Sequence, residues 1–401
     1  MKKFFVPLLI VGGFFTTSCD KNFDIAQVIQ KRSELYKEKN KLISNDDPYS
    51  VKFNPVTPKY KLETREIIED FYNNRINRGG FWGQFLVAKN GQIIFEDYQG
   101  YANYQKKEKI NDSTPMHVAS VGKVFTGVTV LRLIQKGKLS LDQKVQSILP
   151  NFPYEDITVR LLLNHRSGLP YYGHFTSKAG VWNNKVTLTN TDVLNLLTTK
   201  AIKLDFRPNT RFTYSNTNYV ILALIVEKIT EKSFQNAMKE LVLEPLKMNN
   251  TFVLENLENK YNLTQSYYAN NQIMRWDYLD GTYGDKNIYT TARDMLKLDK
   301  ALYSDAFLSK ILKEQMYKGY SYEKAGENNY GLAIRMIEPK NGGNLYTFHN
   351  GWWRGNRTSY VTLRKDTITI ICFNNHNSQL AYKTKELAPR LGNYPFIEIN
   401  D

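Results

Sequence analysis

Two blocks of strand-like pattern lie far apart in this chain, and their separation constrains the fold more than any other feature. The first, FWGQFLVAKNGQIIFEDYQGYAN from Phe81 to Asn103, reads as two strands turning at Asn90-Gly91. The second comprises LYTFHNGW, from Leu345 to Trp352, and SYVTLRKDTITIICFNN, from Ser359 to Asn375, with Lys365-Asp366 at its turn. Between Leu141 and about Tyr283 the pattern is of helical runs, turns and loops. Strands placed early and late, with helices between, predict an α+β fold. In it one antiparallel sheet is built from both ends of the chain, flanked by terminal helices, with an inserted α-rich lobe packed against it. The cleft between the lobes is the expected binding site.

Ile67, Ile68, Phe71 and Ile76 predict a helix over about Glu63–Asn77. A second helix is expected from Ser120 to near Gly137, and a last one over roughly Gln379–Arg390, interrupted near its end by Pro389. The domain is therefore expected over 61–401, its α/β lobe formed by about 61–137 and 285–401 and its helical insertion by about 138–284. Residues 20–60 are polar and end in the proline-spaced NPVTPKY, which reads as a tether. Residues 1–19 read as a targeting segment: Lys2 and Lys3 precede an apolar run from Phe4 to Phe15, too short for the roughly 20 residues that span a bilayer. The following Thr16-Thr17-Ser18-Cys19 resembles the cleavage box of bacterial lipoproteins, with Thr16 in place of the usual aliphatic residue. Cys19 is then the expected lipidation site, with simple secretion behind an uncleaved or differently cleaved leader as the alternative, and the mature protein is expected on the bacterial cell envelope, held to the membrane by a lipid anchor. Lipidation of Cys19 would leave Cys372 without an intramolecular disulfide partner; its apolar setting, ITIICFNN, reads as a buried, inert thiol.

The formal charge of +15 falls to +13 without Lys2 and Lys3. No periodic basic face and no nucleic-acid motif accompanies that excess, so it reads as a diffuse basic surface suited to an anionic envelope rather than as a nucleic-acid footprint. The five histidines show no metal-ligand spacing, and GxSxG, Walker A, HExxH and GxGxxG patterns are all missing. No metal or cofactor is implied.

SxxK occurs at Ser18–Lys21, Ser120–Lys123 and Ser321–Lys324, but only the middle copy opens an apolar helix, ASVGKVFTGVTVL. Helical spacing of three lets the Lys123 amine reach the Ser120 hydroxyl. Desolvation would depress the ammonium pKa, so that a neutral amine accepts the serine proton. Taken alone, the segment equally suits Ser120 as a helix N-cap with Lys123 snorkelling to water. YxN occurs four times, and only Tyr214-Ser215-Asn216 stands between a turn, FRPNTRF, and a strongly apolar helix, NYVILALIVEKI. His349-Asn350-Gly351 is the single HxG, in a strand where glycine permits close approach to the backbone.

In that order, and in the sentences around them, these motifs resemble the serine β-lactamase and penicillin-binding protein superfamily, nearest its class C β-lactamase-related branch of D,D-carboxypeptidases, D-aminopeptidases and esterases. The resemblance runs from about Phe81 to Leu391 and includes ITVRLLLNHRSGLP, LEPLKMNNTFV, YTTARDMLKL and FHNGWWRGNRTSYV. It implies Ser120 as the acylated nucleophile, Lys123 as its base and Tyr214 as the proton relay. It also implies Asn216 as binder of the substrate amide, and the backbone N–H groups of Ser120 and Trp352 as oxyanion hole. His165 matches a loop histidine of structural role. His349 and Asn350 depart from the K-T-G strand motif, so a fixed positive charge is lost there. Arg354 or Arg357 is a candidate replacement, His349, Gly351 and Trp352 make up the substrate-binding strand, and Tyr171 and Tyr172 are candidates for the opposite wall. The expected substrate is a small molecule or peptide: a wall peptide, a D-amino-acid amide, an ester or a β-lactam. The expected activity is that of a serine hydrolase of peptidase or esterase type. The alternatives are a weak β-lactamase and a catalytically slow lipoprotein that binds penicillin or senses wall peptides.

Overall fold

The computed structural model describes residues 48–340 and 342–396; the expected leader, Cys19 and most of the expected tether lie outside them. Seven antiparallel strands form the main sheet: β1 (Gly83–Lys89), β2 (Gln92–Gln99), β3 (Asn328–Tyr330), β4 (Arg335–Ile337), β5 (Tyr346–Trp353), β6 (Asn356–Leu363) and β7 (Ile368–Asn374). Their order across the sheet is β2-β1-β7-β6-β5-β4-β3, so the N-terminal hairpin is joined to the C-terminal strands through β1 and β7. The first hairpin turns at Asn90 and Gly91, both with positive φ, as a two-residue turn matching strand twist requires.

Strand alternation gives the sheet two buried faces. Phe85, Val87, Ile370 and Cys372 meet Ile68, Phe71 and Leu387 of the terminal segments, whereas Leu86, Tyr360, Ile371 and Phe373 pack toward the helical lobe. Helix α1 (Pro58–Phe71) begins with Pro58 behind the Thr57 cap and continues as a wider turn over Tyr72–Ile76. It thus starts five residues before the expected position, because cap and proline, rather than the apolar spacing, set its beginning. Residues 48–57, expected as tether, pack on the domain: Tyr49 meets Phe307 edge-on at 5.1 Å and its hydroxyl accepts a 2.9 Å bond from buried Arg132. At the other end Pro389 stands in the first turn of a short helix, Ala388–Leu391, that follows a 3₁₀ stretch from Gln379 to Leu387. It starts that helix rather than interrupting one, since a missing N–H costs nothing in a first turn.

The segment between the two strand blocks consists of helices, turns and loops, as expected, with short strands besides: Phe252–Val253 and Met116–His117 both pair with Ile288–Thr290. Helix α2 (Gly122–Gln135) is buried from Gly122 to Leu133, and α3 (Thr217–Thr230) from Thr217 to Val226. Sequences apolar on all sides have no solvent face to offer and become central helices. The residues that sequence reading marked out lie at the N-terminal ends of these two helices and along β5.

Candidate active site

Ser120 sits in a single 3₁₀ turn, Ala119–Val121, immediately before α2. Its neighbour Ala119 is held at φ 49°, a left-handed conformation that costs a non-glycine residue about 1–2 kcal/mol. Three bonds fix this turn: the Val118 N–H donates to the Ile288 carbonyl (3.0 Å), the Thr358 hydroxyl donates to the Val118 carbonyl (2.7 Å), and the Ala119 N–H donates to Nδ1 of His117 (3.1 Å). Nε2 of His117 faces Asn287 Oδ1 at 3.2 Å, so the ring is neutral with its proton on Nε2. Burial lowers its pKa to about 4. Sequence reading missed His117, whose only signal was its place three residues before the serine.

Lys123 follows one turn later and is fully buried. Its Nζ lies 3.1 Å from Ser120 Oγ and 2.7 Å from the main-chain carbonyl of Asp285, with the rings of Tyr214 and Tyr219 at 5.1 and 5.5 Å. Desolvation dominates its titration; the Asp285 carboxylate opposes the shift, the Arg335 guanidinium assists it, and the pKa comes down to about 7. The amine is therefore in contact with the serine, and about half of it is neutral near pH 7. Snorkelling to solvent does not occur.

Tyr214 and Asn216 lie where the loop enters α3. His165 supports that loop: its Nδ1 accepts from the Ser215 N–H (3.2 Å) and from Asn218 (2.9 Å), its carbonyl accepts from Thr213, and its ring lies 4.3 Å from that of Tyr214. Asn216 occupies the N-cap position of α3 without making a side-chain cap bond, and its buried Oδ1 has no partner among the described residues. A group of that kind is suited to receive an N–H of a ligand.

Strand β5 runs past the serine turn, and Gly351 makes the approach possible. A Cβ at this position would come within 2.5 Å of the Val118 carbonyl oxygen and would also strike Thr358 Oγ1. The close neighbour that excludes a side chain is thus the chain's own serine turn. Pairing of β5 with β4 ends at Phe348, so among the described residues no strand lies along the outer edge of residues 349–353.

The structure places His349 differently from its expected role in substrate binding. It is fully buried, its Nδ1 faces the Asn350 carbonyl at 2.8 Å, and its Nε2 meets the Tyr330 hydroxyl at 3.1 Å. Both ring nitrogens are committed within the protein, and burial holds the ring neutral. Arg354 is likewise engaged: its Nη2 bridges Asp277 (2.5 Å) and Asp280 (2.7 Å), which spends its charge internally. The Trp352 side chain is exposed, with the Arg357 guanidinium 4.7 Å from its ring. Tyr172 is fully buried, whereas Tyr171 is half-buried with its ring 4.8 Å from that of Tyr172.

The cation that sequence reading did not find is Arg335. It stands on β4 opposite Phe348, one residue from His349, with its guanidinium 5.0 Å from the Tyr214 ring. Its buried Nε has no acceptor, and no carboxylate lies within ion-pair distance among the described residues. Asp285 and Lys286, which border Lys123 from below, were also missed, since YGDKN carries no periodic signal.

Comparison with known proteins bears on the whole of this region. The family described as Beta-lactamase matches residues 77–388. Penicillin-binding protein 4* of Bacillus subtilis (strain 168) is 29% identical over 342 residues, covering 80% of this chain and 74% of its own. A penicillin-binding protein from Bacillus halodurans shares the fold with a TM-score of 0.68 at 22% identity, over 82% of this chain and 98% of its own. A D-amino acid amidase from Ochrobactrum anthropi SV3 does so with a TM-score of 0.63 at 19% identity, over 82% and 96%. A match across that extent, containing the buried lysine, the serine turn and the glycine strand, shows that the chain belongs to the Beta-lactamase family.

Proposed function

We propose that this protein is a serine hydrolase that cleaves an amide or ester through an acyl-enzyme on Ser120. The observation that carries the reading is the 3.1 Å contact between Ser120 Oγ and a buried lysine whose pKa is brought down to about 7. Neutral Lys123 takes the hydroxyl proton as Oγ attacks the substrate carbonyl. The backbone N–H groups of Ser120 and Trp352 are the expected donors to the developing oxyanion; one such donor is typically worth about 2.7–4 kcal/mol. The proton passes by way of Lys123 and Tyr214 to the leaving amine or alcohol, and water then releases the acid and restores Ser120. Asn216 Oδ1 would receive an amide N–H of the substrate, and the free edge of β5 would receive its backbone.

The substrate is proposed to carry a carboxylate held by Arg335, which supplies the positive charge missing at His349 while Arg354 is held by two aspartates. Carboxylate-bearing peptides and D-amino-acid derivatives fit this site better than neutral esters, and the kinship with a penicillin-binding protein supports the peptidase side of the reading. Cys19 is proposed as the lipid anchor that keeps the enzyme on the cell envelope; incorporation of a labelled fatty acid, lost in Cys19→Ala, would test it.

The decisive experiment is intact-mass measurement after incubation with a fluorophosphonate, an activated ester and a chromogenic cephalosporin. A covalent adduct is expected on the native chain and none on Ser120→Ala. No adduct from any probe would overturn the reading. A cephalosporin adduct that persists without turnover would favour the slow penicillin-binding alternative.

A further inference from the structure

Below Lys123 lies a second buried lysine that the mechanism does not use. Asp285 is fully buried, with its carbonyl on Lys123 and its Oδ2 accepting a 2.8 Å bond from the Tyr172 hydroxyl. Lys286, 2% exposed, stands 3.4 Å from that same Oδ2. It donates to the Tyr172 hydroxyl (2.7 Å) and to Thr282 Oγ1, and its ammonium lies 4.5 Å from the Trp353 ring and 5.3 Å from that of Tyr172. Asp285 Oδ1 has no partner among the described residues. Two amines thus converge on one buried aspartate, one at its carbonyl and one at its carboxylate. Burial lowers the Lys286 pKa while the Asp285 and Asp280 carboxylates oppose the shift, and the oxygen acceptors and aromatic faces around it favour the cation. Lys123 has the carbonyl rather than the carboxylate.

We propose that Lys286 is a positioning residue for the reaction: by neutralising the Asp285 carboxylate it prevents Asp285 from holding a proton on Lys123, and so keeps the catalytic amine a free base. The proposal rests on the reading of Lys123 as the base of Ser120. One carboxylate cannot compensate two ammonium groups in a desolvated site, and the amine nearer to it keeps the proton. The other groups facing Lys123 do not alter this account. Arg335, from β4, is a permanent cation and adds to the pressure for neutrality. His165 and His349 are held uncharged by burial, and Tyr219 is pushed well above its ordinary range. Tyr214 faces Lys123 with its ring. Asp280, the next carboxylate along, is occupied by Arg354 and by the Trp353 indole at 2.6 Å.

The test is the rate of Ser120 phosphonylation by a fluorophosphonate between pH 5 and 10, followed by intact mass. In Lys286→Met the unpaired carboxylate should raise the acid limb of the profile by roughly one to three pH units. Asp285→Asn should lower the limb below that of the native chain, and the double variant should fall between the two. Far-UV circular dichroism reports whether each variant folds; should Lys286→Met not fold, the isosteric Asp285→Asn decides alone. A native chain labelled by the probe, with variant profiles superimposed on its own, would overturn the proposal and leave the acyl-enzyme reading standing. A native chain that is never labelled would overturn both.

Discussion

Among the described residues no carboxylate pairs with Arg335, whose guanidinium meets only the face of Tyr214. A guanidinium held against Tyr214 with a buried, unpaired Nε is a costly arrangement unless a ligand completes it, because an unmet buried donor costs about 1–3 kcal/mol. Arg335→Ala is accordingly expected to lower kcat/KM for a carboxylate-bearing peptide or amide by about 10- to 100-fold, since hydrogen bonds to charged groups are worth roughly 1.5–3 kcal/mol. Turnover of a neutral short-chain ester should change little. Equal losses on both substrates would show Arg335 to be structural. At this scale the sequence was only partly readable. The Ser120–Lys123 pair was visible because three-residue spacing fixes a helical neighbourhood whatever surrounds it. The substitute for the lost strand lysine was sought at Arg354 and Arg357, the nearest arginines in the chain. The proposed substitute, Arg335, stands instead on another strand, and sequence distance does not report distance across a sheet.

That strand is also where element-level reading failed. β3 and β4 have three residues each, inside the stretch ENNYGLAIRMIEPKNGG, and three residues are too few to display a period of two. The hairpin at Asn90-Gly91 and the run ITIICFNN were legible because turn chemistry and length agreed there. β5 was legible too, but the purpose of its glycine was not: Gly351 clears space for the serine turn. Gly351→Ala is therefore expected to do two things together. Overpacking against the Val118 carbonyl should cost roughly 1–3 kcal/mol of stability, visible as a lower urea midpoint. Displacement of the Ala119–Val121 turn should reduce acylation of Ser120 by 100-fold or more, because misplacement near 1 Å is sufficient for that loss. A variant destabilised as predicted yet acylated at the native rate would show that the contact only supports the fold.

For the molecule as a whole, the same burial that prepares the site has a price in stability, and its sign follows from proton counts. His117, with its pKa near 4, and His165 and His349, held well below 6.5, stay neutral in the native state while their unfolded counterparts take up protons below about 6.5. Each therefore removes stability at about 1.4 kcal/mol per pH unit as pH falls from 6.5 toward its native value. Lys123 acts in a separate window. Unfolded, it binds its proton up to about 10.5; folded, only up to about 7, so between these values the native state gains on the unfolded state as pH rises. Comparing native protein with Lys123→Met above pH 7.5 isolates this window, because the three histidines are essentially neutral there in both the folded and the unfolded chain. The stability of the native chain relative to the variant should rise by about 1.4 kcal/mol per pH unit between about 7.5 and 10, where the lysine is charged only in the unfolded state. Urea titrations at five or six pH values would measure this difference directly. A gap that stays constant from pH 7.5 to 10 would mean that Lys123 keeps its proton in the folded protein, and the base assigned to Ser120 would have to be sought elsewhere.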